Sequence, residues 1–124
     1  MATFGTAVNC TDGRAQEPVA RWVRDTYRVD HVDVITEPGV DKVLAFGSIQ
    51  SLAIRDKVAF SVRAHHSNVV VLAGHHDCAA NPVSKDQHAQ DLKKALQAMR
   101  WWNLPVTLVG LWVNERWEVD VVAQ

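Results

Sequence analysis

Apolar residues are spaced along this chain in two alternating rhythms. Short runs rich in β-branched residues occur at Thr6–Asn9, His31–Thr36, Val69–Gly74 and Val106–Val113. Between them lie longer stretches whose apolar positions recur every three or four residues. The first kind reads as strand, the second as amphipathic helix. In the first helical stretch Val19, Trp22, Val23 and Tyr27 share a face, while Arg21, Arg24, Asp25 and Arg28 lie elsewhere. Pro18 is expected in its first turn, where a missing N–H costs nothing. Glu37-Pro38-Gly39 stops the second strand with turn chemistry. A short helix follows over Asp41–Phe46, closed by Gly47. Ser48 can cap a longer helix running to about His65, with a broad and diffuse apolar face.

The run from Val69 has no polar alternation, as expected of a strand buried on both faces. Gly74 is expected to turn the backbone at its end. Ala79–Val83 is a loop, and Ser84 with Gln87 forms a capping box. The helix this starts places His88, Leu92, Leu96 and Met99 in one row and should end near Trp101, ahead of Pro105. After Val113 come a turn and Trp117–Val121, whose period-two alternation suits a half-exposed edge strand. The order β-α-β-α-β-α-β-β predicts an α/β fold: a doubly wound, mostly parallel sheet of order 2-1-3-4. Helices cover both faces, and an antiparallel C-terminal strand closes one edge. Residues 1–124 make one such domain.

Composition narrows the partners. Net charge is -1 and no basic block occurs, which argues against nucleic acid or an anionic membrane as a ligand. No apolar run reaches the roughly 18 residues of a membrane span. Met1-Ala2-Thr3-Phe4-Gly5 lacks the layout of an export signal, so a cytoplasmic protein is expected. The two cysteines, Cys10 and Cys78, then point to a metal or catalytic role rather than a disulfide.

In a doubly wound sheet, sites form where neighbouring strands send their connections to opposite faces. Order 2-1-3-4 puts that point between the first and third strands. Cys10 follows the first; His75 and Cys78 follow the third. The topology therefore predicts a Cys₂His zinc site, with one ion per chain and a fourth position open, as in catalytic zinc. His76 is an alternative to His75. In an extended stretch Asp12 would point to the same side as Cys10, within reach of the metal, and Arg14 could take its carboxylate in a bidentate pair. Asp77 reads as an orienting or capping carboxylate, and His88 as a packed histidine or a proton shuttle.

Cys10-Thr11-Asp12-Gly13-Arg14 together with Gly74-His75-His76-Asp77-Cys78 resembles the paired signature of β-class carbonic anhydrases, and of their short, divergent branch in particular. The strand and helix order agrees over most of the chain. The resemblance implies Cys10, His75 and Cys78 as zinc ligands, with Asp12 and Arg14 as a dyad that gates the fourth position. It implies a lyase that hydrates carbon dioxide reversibly to bicarbonate through zinc-bound hydroxide, and a homo-oligomer, a dimer. Alternatives are hydrolysis of carbonyl sulfide or carbon disulfide at the same site, or a non-catalytic zinc sensor or scaffold. Gly13 stands where the family has serine and Ala79 where it has glycine. Of the family's Arg-Asn-x-Gly loop, Thr36–Gly39 keeps only the glycine, and the family's N-terminal dimer arm has no counterpart.

Overall fold

The computed structural model describes residues 1–124. Its elements are β1 (Phe4–Asn9), α1 (Gly13–Tyr27), β2 (His31–Thr36), α2 (Val40–Phe46), α3 (Ile49–His65), β3 (Val69–His75), α4 (Lys85–Arg100), β4 (Thr107–Val113) and β5 (Val119–Ala123). One sheet runs β2-β1-β3-β4-β5, parallel except for the antiparallel β4–β5 pair. The fold is the α/β architecture that the alternating pattern predicts. No helix is long and apolar enough to cross a membrane.

Two apolar clusters hold the layers together. Val70 and Leu72 of β3 point to one face and pack with α2, α3 and α4 through Leu44, Ile54, Val58, Leu92 and Leu96. Val69, Val71 and Ala73 point to the other and pack on α1 through Val19 and Val23. Both sides of β3 are therefore dry, which is why its sequence shows no alternation. The helix after β1 lies on one face and the helix after β3 on the other. This leaves a crevice at the carboxyl ends of these two strands.

Four local expectations are corrected. Helix α1 begins at Gly13, so Pro18 lies inside it rather than in its first turn. The carbonyl deprived of a donor is that of Arg14, which is exposed and can bond to water instead. Gly74 sits within β3 and makes no turn. It is needed because a Cβ there would lie 2.9 Å from Asp41 Oδ2. Half of the α4 capping box forms: Ser84 Oγ accepts the Gln87 N–H at 3.1 Å, but the Gln87 amide turns to Asp91 instead. The last strand starts at Val119, because the turn before it is longer than alternation suggested. Asn114 Oδ1 accepts the N–H groups of Arg116 and Glu118, and Trp117 takes a left-handed φ of 60°.

Candidate metal centre

Cys10 is the first residue beyond β1, His75 is the last of β3, and Cys78 follows three residues later. The crevice brings them together, all buried. Their ligating atoms lie within 4.8 Å of one another. The two sulfurs are 3.9 Å apart. That is too far for a disulfide, and the cysteines are free. It is close to the roughly 3.8 Å expected for two thiolates bound tetrahedrally to zinc at about 2.3 Å each.

The histidine is prepared in the same sense. His75 Nδ1 lies 2.7 Å from the His76 carbonyl, which can only accept, so Nδ1 carries the proton. Nε2 of the neutral ring then holds a free lone pair, and it is buried without a partner. A buried acceptor left open beside two buried sulfurs is what a metal ligand requires. The donor set fits a zinc ion. His76, the alternative ligand, is exposed and outside the cluster; its backbone, rather than its ring, serves the site.

Backbone N–H groups surround the sulfurs. Gly39 donates to Cys10 Sγ at 3.5 Å. The backbone N–H groups of Ala80 and Asn81 lie close enough to Cys78 to favour its thiolate. Burial nevertheless pushes the Cys78 thiol up, and the neighbouring Cys10 adds to this. A bound dication reverses the balance and releases the proton.

Asp12 and Arg14 meet, though not as an extended pair. Asp12 is the N-cap of α1 and Arg14 lies in its first turn. Asp12 Oδ1 accepts from the Arg14 backbone N–H at 2.9 Å and from Nε at 3.0 Å, while Oδ2 accepts from Nη2 at 2.6 Å. These bonds hold the Asp12 carboxyl down at about 2, the Arg14 side chain being the largest cause. The carboxylate is thus gripped by Arg14 and is not among the clustered ligating atoms. Arg14 also reaches Asp77 Oδ2 at 3.3 Å and the Asp77 carbonyl at 3.2 Å, so Asp77 orients the guanidinium.

Three residues escaped the sequence reading. Trp117 lies 4.6 Å from the Arg14 guanidinium carbon, ring to charge. Gln16 Nε2 donates to the carbonyls of Cys10 at 2.6 Å and Asp12 at 2.8 Å, tying the ligand loop to α1. Asn81 is buried beside the site. An aromatic residue in a polar turn was the one available signal, and it belonged to Trp117. His88 is packed, hydrogen-bonded to Asp41.

The fold has solved counterparts. A β-carbonic anhydrase of Trichomonas vaginalis, isoform I, superposes with a TM-score of 0.67 at 15% identity, over 96% of this chain and 82% of that one. The β-carbonic anhydrase CafA of Aspergillus fumigatus gives 0.56 at 15% identity, over 99% and 77%. The β-carbonic anhydrase CcaA gives 0.57 at 15% identity, over 100% and 85%. At such identity the likeness concerns the fold. No curated protein shows significant sequence similarity to the chain. A family model described as "Putative carbonic anhydrase" matches residues 1–123. With nearly the whole chain covered by that model, the protein belongs to this carbonic anhydrase family.

Proposed function

We propose that the chain is a zinc-dependent carbonic anhydrase, converting carbon dioxide and water reversibly to bicarbonate. The observation that carries this reading is the buried Cys10, His75 and Cys78 cluster with a carboxylate gripped by arginine at its edge. Cys10, His75 and Cys78 would hold one zinc ion, leaving a fourth position. Zinc there supplies a Lewis acid that acidifies a water molecule. The other roles belong to the chain. Asp12, a carboxylate whose acidity Arg14 raises further, is an acceptor that can orient that water by its proton. Arg14 keeps the carboxylate turned from the ligand atoms, and Asp77 and Trp117 hold Arg14 in place. The same reading makes the protein a homo-oligomer, a dimer.

The test is the initial rate of carbon dioxide hydration by stopped flow, from pH 6 to 9, on protein of known zinc content. Carbonyl sulfide and carbon disulfide are run beside it. The expected result is zinc-dependent hydration that rises with pH. Turnover of the sulfur substrates alone would keep the site and change the substrate. No turnover of any of the three would leave a zinc sensor or scaffold.

A further inference from the structure

A second group of polar side chains lies behind the metal centre, between the sheet and helices α2 and α4. Asp41, Asn81, His88 and Asp91 are all at least nine-tenths buried. They come from α2, from the loop after β3 and from α4. His88 Nδ1–H donates to Asp41 Oδ2 at 2.5 Å. Asn81 Nδ2 donates to Asp41 Oδ1 at 3.2 Å and to Asp91 Oδ2 at 3.1 Å. The Lys42 N–H donates to Asp41 Oδ1 at 2.9 Å, and Gln87 Nε2 to Asp91 Oδ1 at 3.0 Å. Two carboxylates in a dry interior are costly, and a connected network such as this one fixes its members in a single arrangement.

What it fixes is the set of groups around the metal ligands. Asp41 stands two residues after Gly39, whose N–H points at Cys10 Sγ. Asn81 carries one of the N–H groups that point at Cys78. The two loops touch: a Cβ on Gly39, at its φ of 59°, would lie 3.1 Å from the Ala80 backbone. The network also rests on Gly74, next to His75, with Asp41 Oδ2 filling the place of a side chain. The network therefore reaches all three ligand segments: Asp41 and His88 lie against Gly74 beside His75, Asn81 is in the loop of Cys78, and Asp41 follows the Gly39 that faces Cys10. A thiolate that accepts N–H bonds gives less charge to its metal.

We propose that Asp41, Asn81, His88 and Asp91 are positioning residues for the metal centre. They hold the N–H donors against both cysteine sulfurs, and so set metal affinity and thiolate charge donation. The proposal rests on the metal-centre reading but does not need the enzyme to turn over carbon dioxide.

The test compares wild type with Asn81→Ala, His88→Gln and Asp91→Asn. Met99→Ala serves as a control that loses buried packing in α4 without touching the network. Zinc affinity is read by competition with a chelator. The thiolate bonds are read from the sulfur-to-metal charge-transfer band of the cobalt(II) form. Network variants should bind zinc about 10-fold or more weakly. Their charge-transfer band should move to lower energy, since thiolates without N–H donors are richer in electrons. The control should bind as wild type does. If Asn81→Ala does not fold, the two milder variants decide the matter. Wild-type affinity and an unmoved band in folded network variants would overturn the proposal, as would equal weakening in the control. A wild-type chain that binds neither metal would remove the centre itself, and this inference with it. Metal binding without hydration would sink only the enzyme reading.

Discussion

At the scale of single residues, the site depends on how charge is held. Arg14 makes three hydrogen bonds to Asp12, two of them from the guanidinium fork, and these fix where its carboxylate points. Lysine would keep the charge and lose the fork. Arg14→Lys should therefore reduce hydration at least tenfold while zinc content stays at one per chain, as measured by elemental analysis alongside the rate. Equal activity would reduce Arg14 to a surface charge. Asp12→Asn should likewise lower turnover on zinc-replete protein. The cysteines make a different prediction. Burial raises the Cys78 thiol, so zinc must displace a proton that is bound more firmly than usual. Apparent zinc affinity should fall as pH is lowered from 8 to 6. Chelator competition across that range reads it directly, and a flat profile would argue against thiolate ligation by Cys78.

At the scale of elements, periodicity showed most of the frame. The alternating pattern predicted the strand order, the buried β3 and the Ser48 start of α3. Topology alone brought Cys10 to His75 and Cys78, because a doubly wound sheet has one switch point. What could not be read depends on contacts distant in sequence. Gly74 looked like a turn because nothing local shows that Asp41 approaches its Cα. Trp117 looked like strand because its left-handed φ follows from bonds to Asn114. Pro18 looked like a helix start because Asp12, a better cap, already had a chemical role. The α3 face looked diffuse, and the helix does expose Ile49, Leu52 and Phe60. Ser84 supports α4 through one hydrogen bond, and Ser84→Ala should cost about 1 kcal/mol. Chemical denaturation measures it; an unchanged midpoint would show that the cap contributes nothing.

At the scale of the whole molecule, the remaining question is what covers its apolar surface. Val34 of β2 is 43% exposed, Leu52 is 51%, Phe46 is 63%, Phe60 is 66% and Ile49 is 78%. Strand β2 is also the sheet's outer strand on that side, with no neighbour beyond it. Phe60 and Val34 line one shared groove with Asp33 and Lys57, so part of the apolar surface continues onto the strand edge. Natural sheets seldom leave an apolar edge open, because it invites pairing. The opposite edge, β5, carries one exposed large apolar residue, Val121, and an exposed charge, Asp120, beside it. A dimer formed through the β2 and α3 side would cover Val34 and Phe60 and close the β2 edge. Light scattering after size exclusion should then give twice the chain mass of 13.8 kDa. Phe60→Glu combined with Leu52→Glu should halve that value, since two carboxylates would have to be buried at the contact. Val121→Glu on the β5 edge should leave the dimer intact. A monomer at every concentration in the wild type would exclude self-association. A dimer that survives Phe60→Glu with Leu52→Glu but is lost with Val121→Glu would move the contact to the other edge of the sheet.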